Sequence, residues 1–415
     1  MPRFELGVET KLRALGTFEE YIWLVEQKTP RTIVVAAELQ GPTTIDGWRT
    51  ALNAVQAQHP ILSTRIRKRP GFRPYFEAAP GIDLPLQVLS FDSTKSLLDY
   101  CSKELETAFA EDDLLLRAIV LHGKHRSTLL LAADHVAFDG RSVVYVIRDL
   151  IRSLAGEALG KQKPLSPSHD ELLGLPTSDI YSTPSAPYSG LSESIELPVT
   201  QVAGKHQLEQ IWLEPPAVAA ITQRARQEQT TVHGALTAAI LLTGRAKSPR
   251  WAETAIRCAS PIDNREILGV GDNLGLLLTL AYTELESAEL PNFWHLARQV
   301  RSDVSALGNV QAAARSFATL RETLTTEMDP GRMADAARQR AQTLMVTNYG
   351  RLKIPSEYGP LHLLFISPMV TSGAPHTQTV SLATLNGLLC MTNVSAEPIP
   401  DLLAGARNLV ISQLC

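Results

Sequence analysis

Leu129-Leu130-Leu131-Ala132-Ala133-Asp134-His135-Val136-Ala137-Phe138-Asp139-Gly140 is the most telling stretch of this chain. Five apolar residues in a row read as a buried strand. The strand ends in a His and an Asp spaced four apart and closed by a Gly. A strand end delivers an imidazole to a fixed place. The Gly lets the backbone turn where a side chain would obstruct, and the Asp can hold that turn. Just upstream, Leu114–Leu121 is a second apolar run. Gly123-Lys124-His125-Arg126 separates the two runs, so together they predict a hairpin with the His motif at its exit. Downstream, Val143, Val144, Val146, Ile147, Leu150, Ile151 and Leu154 supply the buried side of a helix over 141–154.

The rest of the chain repeats this mixture. Residues 31–39 read as a strand. Thr43–Gln58 reads as a helix that Thr44 can cap, with Ile45, Trp48, Leu52 and Val55 at helical spacing. His59-Pro60 stops it, and Ile61-Leu62 is expected to open the next strand. A helix is expected over 94–109. From about 156 to 204 prolines and serines punctuate a stretch that reads as a crossover. Beyond it come a strand at Gln207–Leu213 and helices at 217–227 and 231–244, the second capped by Thr230 or Thr231. Strands follow at 254–260 and 274–283, then a mostly helical 292–340. Further strands are expected near 343–347, 361–367, 380–385 and 388–393, with a final helix from about Pro400. The expected class is α/β, built twice: an N-terminal subdomain over 1–160, a linker over 161–204 and a C-terminal subdomain over 205–415.

Composition limits the function. The 415 residues exceed one ordinary core, and 44% apolar with 20% charged residues suits a soluble protein. A net charge of −4 gives no reason to expect nucleic acid, and the densest basic run, Arg65-Ile66-Arg67-Lys68-Arg69, reads as a solvated strand end. No stretch is apolar enough to span a membrane, and Met1–Glu5 has no signal-peptide core. Cys101, Cys258, Cys390 and Cys415 form no Cys-x-x-Cys pair. The expectation is a reducing, cytoplasmic setting with neither a zinc site nor a disulfide framework.

Several blocks in order resemble the chloramphenicol acetyltransferase and condensation-domain superfamily of acyltransferases. Its HHxxxDG motif is matched by Asp134 through Gly140, with Asp134 in place of the first His. Ala51-Leu52 through His59-Pro60-Ile61-Leu62 resembles the family's helix-to-strand entry, and Leu115-Leu116-Arg117 precedes the motif strand as it does there. Pro261-Ile262-Asp263-Asn264-Arg265 with Asp272-Asn273-Leu274-Gly275 resembles a second block, and Thr347-Asn348-Tyr349-Gly350 the Asn-x-Gly segment of the alcohol-acylating branch. Length and spelling are nearest the stand-alone polyketide-associated acyltransferases of the phthiocerol dimycocerosyl transferase kind. The resemblance implies two chloramphenicol acetyltransferase-like subdomains forming a pseudo-dimer with an active-site tunnel between them. It also implies a role in polyketide or lipid secondary metabolism.

Acyl transfer to an alcohol requires a base as the oxygen attacks, and a neutral imidazole suits that task. His135 is the expected catalytic base. The resemblance gives Asp139 an ion pair with Arg265, and Gly140 supports the turn. Asp134 either raises the basicity of His135 or caps the turn, and the turn role is preferred. Asn348, Asn273 and backbone N–H groups are candidates for the tetrahedral oxyanion. Without a Gly-x-Ser-x-Gly elbow, direct attack is expected rather than an acyl-serine intermediate. The donor would be a phosphopantetheine thioester, on an acyl carrier protein or on coenzyme A, with no permanently bound cofactor, and the product an ester. The competing readings are amide-forming condensation, as in peptide biosynthesis, and a non-catalytic scaffold of the same fold. His122 and His125 read as solvated turn residues, His59, Tyr349 and Phe138 as packing, His233 as core or tunnel lining, and Cys258 and Cys390 as small buried hydrophobes.

Overall fold

The structure, a computed structural model, describes residues 11–91, 97–182, 205–286, 291–339, 342–371 and 374–414. Two six-stranded mixed sheets carry it. In the first, the order is Glu357–Tyr358, Leu361–Val370, Thr32–Gln40, Arg126–Asp134, Leu116–His122, Leu86–Ser90. Thr32–Gln40 is antiparallel to both its neighbours and buried on both faces. Its side chains alternate accordingly. Ile33, Val35, Ala37 and Leu39 meet the helices Ile45–Gln58 and Gly140–Leu154, while Val34 and Ala36 meet Cys101 and Leu105 of the helix Leu97–Glu106. The hairpin expected around 123–126 joins the strands Leu116–His122 and Arg126–Asp134.

The strand expected to open at Ile61-Leu62 begins later, at Thr64. Pro60–Ser63 makes a single 3₁₀ turn instead. Pro60 starts that turn, the Thr64 hydroxyl closes it by donating to the Ile61 carbonyl at 2.7 Å, and Ile61 and Leu62 are buried from within it. The apolar pair was driven by burial, which periodicity cannot distinguish from a strand in so short a run.

The second sheet has the order Leu278–Leu285, Ile256–Asp263, Leu344–Arg351, Gln378–Leu385, Leu388–Ser395, Gln207–Leu213. The helix Val232–Lys247, capped by Thr231, packs in its core with Phe293–Ser305 and Leu402–Ser412. Small residues along that helix, Ala235, Ala238 and Ala239, let its neighbours approach from more than one side. Leu361–Val370, from the far side of the expected linker, pairs into the first sheet. It also touches the second: Gln210 Nε2 donates to Ser367 Oγ at 2.7 Å, and Thr392 Oγ1 to the Pro368 carbonyl at 2.5 Å. Within the expected linker, Ser168 caps the short helix His169–Leu172, whereas residues 183–204 lie outside the described residues, as does Cys415. No helix among the described residues is long and apolar enough to cross a membrane.

Candidate active site

The motif begins where the strand Arg126–Asp134 ends. Thr32 stands opposite Asp134, and the His135 N–H donates to the Arg31 carbonyl at 3.0 Å, so His135 is still held to the neighbouring strand. The chain then folds over. The Asp134 carbonyl accepts from Ala137 and Phe138, and its carboxylate Oδ1 accepts from the Val136 N–H at 2.8 Å. Asp134 is thus a turn residue. Its carboxyl also shares a hydrogen bond with Glu26, and burial raises it to about 6.

The turn brings the Phe138 carbonyl within 2.9 Å of His135 Nδ1. A carbonyl only accepts, so Nδ1 carries the proton and Nε2 presents a lone pair. Burial lowers the His135 pKa. The Phe138 bond and the Asp139 charge oppose that shift without reversing it, and the Arg31 charge adds to it. The imidazole is therefore neutral at neutral pH, with one nitrogen ready to take a proton.

Asp139 points the other way. It caps the helix Gly140–Leu154 by accepting from Ser142 N–H at 2.8 Å, and its Oδ2 accepts from Leu277 N–H at 3.0 Å. Arg265 meets it with two nitrogens, at 2.7 and 3.0 Å, and both side chains are almost fully buried. Burial alone would raise the Asp139 carboxyl; Arg265 and the two N–H donors outweigh it and hold the pKa below the usual range. The Arg265 guanidinium is saturated further by Asp263, Ser142 Oγ and the Asn273 carbonyl. Ser142 and Asp263 were not singled out from the sequence. Ser142 stands three residues after a capping Asp, and Asp263 lies inside the Pro261–Arg265 block, so both carried a signal.

Gly140 is required by a close approach rather than by backbone freedom. A Cβ there would overlap the phenol ring of Tyr349, which is buried against the helix start. Gly140→Ala should therefore cost about 1–3 kcal/mol, read as a lower urea midpoint. Truncating the ring in Gly140→Ala/Tyr349→Leu should recover part of it.

The other candidates are more dispersed. Asn348 Oδ1 accepts from its own segment, the Gly350 N–H at 2.7 Å, which leaves its amide nitrogen as a donor. Asn273 borders a small cleft with His59, Pro60 and Lys163. His59 is 3.0 Å from Asp149 in a buried pair that ties the end of the helix Ile45–Gln58 to the helix Gly140–Leu154. His233 Nε2 meets Ser260 Oγ at 2.9 Å. His122 bonds the Thr43 carbonyl, and His125 is exposed. Cys101, Cys258 and Cys390 are buried free thiols, pushed upward by burial. Among the described residues, no group of three or more His, Cys, Asp or Glu side chains could hold a metal ion.

His169 carried no signal in the sequence. It is 3% exposed, accepts from Asn264 Nδ2 at 3.0 Å, and packs edge-on against Phe317. Its Nδ1 has no partner. Burial lowers its pKa to about 4. The unfolded chain therefore takes up this proton first. The stability His169 contributes is complete above pH 6.5 and is lost as pH falls from 6.5 towards 4, by on the order of 3 kcal/mol. Urea midpoints at pH 7 and pH 4.5 should converge in His169→Gln relative to the parent chain.

Known proteins bear on this geometry in two ways. Residues 203–384 match the family described as phthiocerol/phthiodiolone dimycocerosyl transferase C-terminus. The fold is similar over nearly its whole length to polyketide synthase associated protein 5 from Mycobacterium tuberculosis, with a TM-score of 0.66, 16% identity and 98% of each chain covered. It is likewise similar to the first condensation domain of the CDA synthetase, with a TM-score of 0.68, 13% identity and 98% and 96% of the two chains covered. For trichothecene 15-O-acetyltransferase TRI3 from Fusarium sporotrichioides the TM-score is 0.67, the identity 13% and the coverage 97% and 95%. In sequence, the chain is 25% identical over 359 residues to the probable non-canonical nonribosomal peptide synthetase CymA of Salinispora arenicola. That match takes in 80% of this chain and 4% of the synthetase. The fold is thus the one shared by these condensation-domain and acyltransferase structures, and residues 203–384 match the transferase family in sequence.

Proposed function

We propose that the protein is an O-acyltransferase that moves an acyl group from a phosphopantetheine thioester to an alcohol, with His135 as general base. The observation that carries this reading is the bond from His135 Nδ1–H to the Phe138 carbonyl, which leaves Nε2 unprotonated. The alcohol O–H gives its proton to Nε2 as its oxygen bonds to the thioester carbon. When the tetrahedral intermediate collapses, the C–S bond breaks and Nε2–H protonates the leaving thiolate. The products are an ester and a free thiol, with no acyl-enzyme. Arg265 and Asp139 position the turn rather than touch substrate. The Asn348 amide N–H₂ is a donor for the tetrahedral oxygen. A tunnel between the subdomains would bring the pantetheine arm and the alcohol to His135 from opposite faces.

The likeness to a nonribosomal peptide synthetase favours a carrier protein as one bearer of the thioester, and supports amide formation as the second reading. The two separate by product. The protein is incubated with a panel of acyl-coenzyme A and acyl-carrier thioesters, each with a set of alcohols or of amines, and products are read by mass spectrometry. Esters are expected. Amides alone would replace the first reading with the second, and thiol release in no combination would return the chain to a scaffold role.

A further inference from the structure

The arginines that reach furthest into the interior are supplied with acceptors, and half-buried Arg31 is not. Arg265 has five, Arg245 bonds three backbone carbonyls, and Arg13 meets Glu19 and two carbonyls. Arg31 has none among the described residues. Its Nε is shut off from solvent and unpaired, and its charge is disfavoured by burial. The nearest carboxyl to act on it is that of Glu26, which is hydrogen-bonded to Asp134 instead. Its two terminal nitrogens keep contact with solvent and likewise have no partner among the described residues, so a half-buried guanidinium stands with donors free for an anion.

Its place in the fold sets these free donors close to the base. Arg31 immediately precedes the central strand Thr32–Gln40, and its carbonyl holds the His135 N–H at 3.0 Å. Its positive charge reaches the rings of both His135 and His206. The groups around it are Tyr21 and Glu26 of the helix Thr17–Glu26, His135 at the motif turn, and His206 at the entry to the strand Gln207–Leu213. Only Glu26 among them is acidic, and burial beside Asp134 holds its carboxyl well above the usual range.

We propose that Arg31 recognises a carboxylate on a substrate bound at His135, so that either the acyl chain or the acceptor alcohol carries an acid group close to its reacting atom. A planar, two-pronged donor suits a carboxylate, and a half-buried position screens the contact less than open solvent would. The two sources share this chemistry and differ in which substrate bears it. The proposal rests on the acyl-transfer reading for its location beside a reacting group, but not for the existence of the anion site.

Two measurements test it on the full chain. In turnover, succinyl-coenzyme A is compared with butyryl-coenzyme A on a neutral alcohol, and 3-hydroxybutyrate with 2-butanol on butyryl-coenzyme A. The carboxylate partner should be preferred in one of the two comparisons, which names the source. In Arg31→Gln the charged-to-neutral ratio of kcat/KM should fall by roughly tenfold to a hundredfold, with Arg31→Lys between. An equal loss on charged and neutral substrates would overturn the proposal and make Arg31 a stabiliser of the oxyanion.

In binding, the melting temperature is measured with succinate or butyrate against succinamide or butyramide at matched ionic strength. The carboxylates should raise it in the parent chain and in His135→Ala but not in Arg31→Gln. No carboxylate-specific rise, or the same rise in Arg31→Gln, overturns the site. A rise that depends on Arg31 without any turnover keeps the anion site and removes the acyl-transfer reading.

Discussion

His135→Ala is expected to lower kcat by about 10²–10⁴-fold while leaving the fold intact. The imidazole makes one bond, to the Phe138 carbonyl, and the turn keeps its other ties through Asp134. A far-ultraviolet spectrum and urea midpoint close to those of the parent chain, together with the loss of thiol release from an accepted thioester, are the expected pair of results. The pH profile adds a second reading. Because burial holds the His135 pKa below 6.5, the acidic limb of kcat/KM in the parent chain should lie below that value and be absent from the residual rate of the variant. Full turnover in His135→Ala would remove the base assignment.

Arg265→Met should carry the largest stability effect. It leaves Asp139 buried and ionised with only the Ser142 and Leu277 N–H groups and the Ser142 hydroxyl as donors. Losing one partner of such a pair costs about 3–5 kcal/mol. Asp139→Asn should cost less, since Asn can still cap the helix at Gly140–Leu154. The double variant Asp139→Asn/Arg265→Met should cost clearly less than the two single losses added together, because neither charge is then stranded. Urea titrations of the four proteins supply the cycle. Simple additivity would mean that the two side chains do not act on each other. Asp263 is the next group to suffer, since it too faces Arg265 and is otherwise held by Arg141 at 3.2 Å.

Much of this architecture was legible before any coordinates because burial and period coincide there. The strand Arg126–Asp134 and the helix Gly140–Leu154 are each apolar with their own repeat and are punctuated by Gly and Asp. What was not legible depends on neighbours distant in sequence. Ile61 and Leu62 are equally apolar in a strand or a 3₁₀ turn, and Pro60 with Thr64 favours the turn. The place of Ser142 after a capping Asp hints at its bond to Asp139, but its bonds to Arg265 and Gly275 come from more than 120 positions away. Gly140 looks like a turn glycine until the Tyr349 ring is laid over it. Arg31 was read only as the edge of a strand. Its missing partners are a property of three-dimensional packing that no local pattern encodes.

The strand Leu361–Val370 has a consequence for how this chain comes to exist. One of the two hydrogen-bonding edges of Thr32–Gln40 is filled only by a segment made some 330 residues later. Until then an apolar strand stands with a bare edge, open to any other extended chain nearby. The N-terminal half therefore has no finished resting state during synthesis. A cut within 183–204 should yield a sticky first fragment rather than a working half-enzyme. Its solubility should return only when the second fragment is supplied alongside it.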